Sequence, residues 1–345
     1  MLKKYILNFR YAFRIKKPLL ILRLIYTYLS IILFGKKPLR YVDFAIGYAC
    51  NLKCKHCFAD ALKNDSRKKI TPVEYKSIVR QAMRLGAVNF SFQGGEPTLY
   101  PELIEFIKNT YPDRNLISVT TNGTLLDEQK IVALKVIGVD ILTISLDSAV
   151  PEEHDNFRGV QGTFDKTLNT IKLALKSGLS VTLGAVVSHR NIRSQGVIDL
   201  VELAQKLNVI IFLALAAPVG RWAGDEDIVL TEDDRKYLYG LIEKYTLLRT
   251  DFEANYVQYG CGAVKEILYI TPYGDVLACP FLHFSLGNVF DESIKTIRDR
   301  GLEKPYFAHY HKLCLAAEDK DFMEKYTGNF YLPGGQVRRL FGFGG

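Results

Sequence analysis

Three of the chain's six cysteines fall within eight residues, as Cys50, Cys54 and Cys57 in the stretch ACNLKCKHCFA (49–59). The spacing is C-x3-C-x2-C, which puts three thiolates on one tight loop. A structural zinc site closes with four ligands, usually as two pairs. Iron–sulfur clusters are also held by thiolates at short spacings. Three thiolates can grip three corners of a [4Fe–4S] cube and leave one iron for a bound molecule, as catalytic metal sites leave a position open for a reactant. The even cysteine count also admits disulfides. In a chain of 345 residues with unevenly grouped cysteines, metal binding or catalysis is the better reading.

The elements around this loop alternate. Tyr41–Ile46 reads as a strand with the cysteines at its carboxyl end. Thr71-Pro72 caps a helix over 73–85 that Gly86 stops. Strands follow at 88–92, 116–120, 140–146, 179–187 and 209–214, separated by helices at 103–109, 127–137, 163–177 and 194–207. Largely apolar, β-branched strands between helices indicate a parallel sheet covered on both faces, and right-handed crossovers make it a curved sheet or partial barrel. Functional residues in such folds collect at the carboxyl ends of strands. Those ends carry the cysteines, QGGEP (93–97), TTNGT (120–124), SLDS (145–148) and APVGR (217–221). Turn chemistry explains one such cluster, but poorly explains five at one edge.

With these motifs in this order, the chain resembles the radical S-adenosylmethionine (radical SAM) superfamily. Its signature is C-x3-C-x-aromatic-C after the first strand; His56 stands at the aromatic position here. The resemblance implies an α/β fold with a partial (β/α)6 TIM-like barrel, and S-adenosylmethionine chelating the open iron of a [4Fe–4S] cluster. In the family, one electron cleaves the sulfonium to a 5′-deoxyadenosyl radical that abstracts hydrogen from substrate; the protein orients and shields that chemistry. It further implies cofactor contacts at Gln93, Gly94, Gly95 and Glu96, the motif that receives the cofactor's amino group, and at Thr121, Asn122, Ser145 and Asp147. The run His154–Gly159, with Gly162-Thr163-Phe164, is similar to one in the peptide-modifying branch, as is APVGR. Arg158 in that run is expected either to meet the cofactor carboxylate or to form a structural salt bridge.

After a linking helix over 231–248 come the other cysteines. Cys261 is followed by twelve residues, Gly274, four residues and Cys279. The intervening LYITPYGDVLAC reads as a hairpin that brings Cys261 and Cys279 together. This element resembles the opening of the family's SPASM and twitch auxiliary-cluster domains. The cysteines of a full SPASM domain are missing, so two auxiliary clusters are excluded on ligand count. One twitch-like auxiliary Fe–S cluster on Cys261, Cys279 and Cys314 is expected, with His311 as fourth ligand or with an open iron. Trp222 is expected to line the barrel mouth or pack in the core, and the glycine-rich basic tail from Pro333 to be a flexible end or a cover for the site.

The organisation expected is a basic, apolar amphipathic helical extension (1–40), the radical SAM partial barrel (41–225), a linking helix (226–250), and a small hairpin-containing twitch-like domain with tail (251–345). The net charge of +8 is concentrated in the extension, so it marks one segment rather than a whole-surface field, and no nucleic-acid partner is expected. The apolar run Leu19–Phe34 is interrupted by Arg23 and flanked by Lys16, Lys17, Lys36, Lys37 and Arg40. It is short for a membrane span and lacks signal-peptide features. Two readings stay open: residues 1–38 as a headgroup-level anchor with Tyr5, Tyr11, Tyr26 and Tyr28, or a segment packed on the protein.

The leading functional reading is a cytoplasmic radical SAM enzyme, possible at the membrane face, acting on a peptide or small-molecule substrate. It would take electrons from an external one-electron donor of flavodoxin or ferredoxin type. The alternatives are a membrane-surface enzyme modifying a lipid or amphiphile, and a non-catalytic Fe–S or zinc-binding protein.

Overall fold

The computed structural model describes residues 2–256, 258–326, 331–332 and 336–339, with side chains described from residue 6 to 326 apart from 257. Seven strands run in parallel: β1 (Tyr41–Gly47), β2 (Asn89–Gly94), β3 (Leu116–Thr121), β4 (Ile141–Ser145), β5 (Ser180–Val187), β6 (Ile210–Leu215) and β7 (Leu248–Arg249). Beyond β1 the sheet continues through β8 (Ile267–Ile270), parallel to β1, then β9 (Asp275–Leu277), antiparallel to β8. Thus the predicted hairpin forms, and it is stitched directly onto the first barrel strand.

The crossover helices are α3 (Pro72–Arg84), α4 (Leu103–Lys108), α5 (Glu128–Val136), α7 (Thr163–Lys176) and α8 (Gln195–Lys206). Helix α3 starts with a full capping box, Thr71 and Glu74 each satisfying the other's backbone N–H. Alternate residues on each strand face these helices. Val42, Phe44 and Ile46 of β1, Phe90 and Phe92 of β2, and Ile117 and Val119 of β3 share one buried core with Tyr75, Ile78 and Phe106. The linking helix α9 spans Glu232–Lys244 and carries its own capping box from Thr231 and Asp234.

The extension forms two helices, α1 (Leu2–Ala12) and α2 (Pro18–Phe34), packed across the amino-terminal ends of the strands. Leu20 is fully buried against Val88, Leu116 and Ile141, and Leu7 against Ile210 and Leu247. Two of the basic residues bind the protein. Lys17 Nζ donates to Asn115 O and Gly138 O, each at 3.1 Å, and pairs with Asp140 at 2.5 Å. Arg23 donates to Ala87 O at 2.7 Å and to the Asn115 side chain. Tyr11 and Tyr28 turn inward, against Arg249 and Tyr256, rather than towards solvent. These two tyrosines and Arg23 therefore serve the packed-on-protein reading. No helix of the described residues is long and apolar enough to cross a membrane. Side-chain statements about Tyr5 and the tail from Pro333 fall outside the described residues; the backbone of Gln336–Arg339 pairs in parallel with Phe284–Ser285.

Candidate active site

The loop after β1 is fixed by backbone contacts from three directions. Lys53 N–H and Lys55 N–H donate to Arg158 O and Phe157 O at 3.1 and 2.9 Å. Both acceptors lie at the end of α6 (Pro151–Arg158), a helix the sequence reading left unassigned. Ala49 N–H donates to Tyr100 Oη at 2.8 Å. From the far side of the barrel, Arg221 donates through Nη1 to Cys54 O at 3.1 Å and pairs with Asp60 at 2.9 Å. Its neighbour Gly220 is in the left-handed region (φ 63°), where a Cβ would meet Cys57 O. The APVGR motif is thus a brace for the cysteine loop.

Cys50, Cys54 and Cys57 all open into one cavity of about 610 Å³. Burial pushes the Cys50 thiol up to about 11, and the neighbouring Cys54 and Cys57 add to the rise. A thiol raised in this way ionises most readily on binding a cationic cluster. Among the described residues no three His, Cys, Asp or Glu side chains close on a single ion. A cubane places each thiolate on a different iron, so it needs a wider spread than one ion does.

Beside the cysteines, Gly94 and Gly95 press on the β1 end. Gly95 N–H donates to Gly47 O at 2.9 Å and Glu96 N–H to Ala49 O at 2.9 Å. A Cβ at Gly94 (φ 119°) would lie 2.5 Å from Gly47 O, and one at Gly95 would strike Ala49 O. Glu96 is 1% exposed and already satisfied. Its Oε1 accepts from Thr98 N–H, Thr98 Oγ1 and Thr121 Oγ1, and its Oε2 from Asn122 N–H at 2.8 Å. Its carboxylate ties the loop after β2 to the loop after β3. Burial pushes its pKa up against those hydrogen bonds.

Gln93, Thr121, Asn122, Ser145 and Arg158 line the same cavity. Asp147 stands behind Arg158: its Oδ2 accepts from Arg158 Nε at 2.6 Å and its Oδ1 from Val186 N–H at 3.1 Å. Burial opposes ionisation of Asp147, but Arg158, His56, His154 and the Val186 N–H together outweigh it, so the pKa lies below the usual range. Arg158 Nη1 also reaches Cys54 Sγ at 3.7 Å. The rest of the His154–Phe164 run is accounted for as well. Asp155 accepts from Gly162 N–H, Thr163 Oγ1 and Phe164 N–H and so starts α7, and Gly159 (φ 72°) presses on Lys53 O.

The second cysteine triplet lines this cavity too. Cys279 and Cys314 are pushed up first by burial and then by Cys261, which places the three near one another. Cys261 N–H donates to His311 O at 2.7 Å. The His311 imidazole is not among the cavity-lining groups; it stacks on Tyr306, with Nε2 buried and unpartnered.

Sequence reasoning missed two features. One is an aromatic wall: His56 stacks on Phe157 at 4.4 Å, with Trp222 5.8 Å from each ring. Trp222 therefore lines the mouth. The other is a polar lumen. Asp43, Asn89, Gln93, Thr120, Thr143 and Thr182 line the cavity from successive strands, with Arg249 from β7 and Asp251 just after it. Burial raises the Asp43 carboxyl to about 7 even though Tyr41 Oη donates to it at 2.7 Å. The alternation Asn89-Phe-Ser-Phe-Gln93 carried that signal.

The radical SAM superfamily model matches residues 44–206, and an iron–sulfur cluster-binding domain model matches 261–316. The chain carries a radical SAM domain followed by an iron–sulfur cluster-binding domain. Among its relatives is the antilisterial bacteriocin subtilosin biosynthesis protein AlbA of Bacillus subtilis, 28% identical over 85% of this chain and 67% of that protein. Another is the mycofactocin maturase MftC of Mycobacterium tuberculosis, 29% identical over 73% of this chain and 68% of that one. The fold is that of Streptococcus suis SuiB bound to S-adenosylmethionine, with a TM-score of 0.62 and 19% identity over 81% of this chain and 69% of SuiB. A [4Fe–4S] cluster and S-adenosylmethionine are the radical SAM cofactors, and the second domain brings further Fe–S binding. The donor set fits: three thiols on a braced loop, next to a glycine pair that no side chain can replace, on a cavity of sufficient size.

Proposed function

We propose that this radical SAM protein is an enzyme that modifies a peptide substrate. One observation carries the reading: both cysteine triplets and the glycine pair open onto a single cavity whose inner end is a polar lumen. Cys50, Cys54 and Cys57 hold the reducing cluster, and Cys261, Cys279 and Cys314 an auxiliary one. Bound together, cluster and S-adenosylmethionine supply one-electron cleavage of the sulfonium and a carbon radical able to take hydrogen from substrate.

The protein's own residues bind, orient and exclude water. Gly94 and Gly95 let backbone approach the methionine end of the cofactor, while Glu96 fixes the loop that carries them. Thr121, Asn122 and Ser145 offer hydrogen bonds along the strand ends. Arg158 is a cation held by Asp147 next to the cluster loop. His56 and Trp222, backed by Phe157, offer an aromatic wall for a planar ring. A flavodoxin- or ferredoxin-type donor supplies the electron. The names of AlbA and MftC, as a bacteriocin biosynthesis protein and a maturase, support modification of a precursor, as does the peptide SuiA bound to SuiB.

The test is anaerobic reconstitution followed by 5′-deoxyadenosine measurement with candidate precursor peptides or with lipid extract. Peptide-stimulated release is expected. Stimulation by lipid alone would replace the peptide reading, and no cleavage of S-adenosylmethionine under reduction would end both.

A further inference from the structure

Of the 22 exposed large apolar side chains among the described residues, 12 lie between Ile6 and Phe34. Helix α2 is built inside out for a surface helix. Its barrel-facing side carries Arg23, Thr27 and Ser30 together with Leu20. Its outer side carries Leu22, Ile25, Tyr26, Leu29, Ile32 and Leu33, between 48 and 75% exposed. The spacing of three and four residues puts these on one face. A contiguous exposed apolar face of this kind marks an interaction site.

A groove of about 630 Å³ runs beside that face. It is lined by Arg23, Lys36, Lys37, Arg84 and Arg114 and by no acidic residue. Arg23 is occupied with backbone and Asn115 acceptors, and Arg114 pairs with Asp113 outside the groove. Among the described residues no carboxylate forms an ion pair with Lys36, Lys37 or Arg84.

We propose that α2 and this groove dock the protein on an anionic bilayer surface, the aliphatic face seated among acyl chains and the groove cations on headgroup phosphates. Charge decides against a second copy. Exposed Lys16 precedes α2 and exposed Lys36 and Lys37 follow it, so pairing α2 with itself in either orientation sets lysine against lysine. An anionic surface accepts both ends at once. The proposal is independent of the catalytic reading. It also has a geometric consequence: α2 lies on the amino-terminal ends of the strands, while the cysteine loop lies at their carboxyl ends. The docked protein therefore turns its mouth to the aqueous side.

The test is co-sedimentation of the full chain with vesicles of phosphatidylcholine alone or mixed with phosphatidylglycerol, alongside Leu22→Glu/Leu29→Glu and Lys36→Glu/Lys37→Glu/Arg84→Glu variants. All five positions are on the surface, so the melting temperature is expected to stay at the wild-type value. Wild type is expected to pellet with the phosphatidylglycerol vesicles, the first variant to stay in solution, and the second to bind at least tenfold more weakly. Failure of the wild type to pellet, or undiminished pelleting of Leu22→Glu/Leu29→Glu, overturns the proposal. So does a vesicle-free dimer that the same variant dissolves, which would assign the face to a second copy.

Discussion

Arg158 bridges Asp147 and Cys54, its Nε donating to the carboxylate at 2.6 Å and its Nη1 lying 3.7 Å from the thiol sulfur. Burial opposes a charged guanidinium, but Asp147 and then Cys54 hold it protonated above its ordinary range. Hydrogen bonds and positive charge near cluster sulfurs raise the reduction potential. Arg158→Gln is therefore expected to lower the midpoint of the reducing cluster by tens of millivolts, read by EPR-monitored titration. Asp147→Asn removes the negative charge that balances the guanidinium and should shift the midpoint the other way, upward and by less. An unchanged midpoint in both variants would leave Arg158 with a purely structural role.

Gly95 is packed so that an added methyl meets the Ala49 carbonyl. Backbone cannot yield as a flexible side chain does, so Gly95→Ala should displace the loop carrying Glu96, at about 1–3 kcal/mol. Isothermal titration of the reconstituted protein with S-adenosylmethionine is expected to show at least tenfold weaker binding, with iron content retained. Wild-type affinity would show that this loop does not touch the cofactor.

Asp43, in the polar lumen of the cavity, provides a pH signature of its own. Its folded pKa of about 7 lies above the unfolded carboxylate value, so the fold gains nothing from it at acid pH. As pH rises from about 4 to 7 the unfolded chain ionises first, and the native state loses stability relative to it. Tyr41, Ser91, Gln93 and the charge of Asp251 face this carboxyl. Asp43→Asn is expected to melt at close to the wild-type temperature near pH 5 and at a higher one at pH 8, by a few kcal/mol in stability. A constant gap across that range would show that Asp43 ionises normally.

Strand and helix limits of the barrel were legible to within a residue or two, because Gly86, Gly138 and Pro72 act locally and do not depend on the fold; the linking helix read to 248 instead ends at Lys244, and Leu248 enters a strand. The hairpin linking Cys261 to Cys279 was legible for the same reason. Roles set by long-range partners were not. Glu96 reads as a free acceptor, yet residues two, 25 and 26 positions away consume it. Tyr11 and Tyr28 read as interfacial aromatics, yet Arg249 and Tyr256, far along the chain, draw them inward. The second strand was read for its apolar residues, which face the helices, while Asn89 and Gln93 between them faced the lumen. The two-residue strand Leu248–Arg249 is too short to leave a periodic trace.

The ladder between β1 and β8 pairs Tyr41 with Ile267 and Phe44 with Ile270. One cysteine group leaves the end of the first of these strands, and Cys261 and Cys279 bracket the second and its hairpin partner. Their separation is thus set by backbone hydrogen bonds rather than by a hinge. Electron tunnelling falls steeply with distance, so with clusters held on both cysteine groups, a span pinned in this way would give transfer between them a single rate instead of a spread of rates from a swinging module.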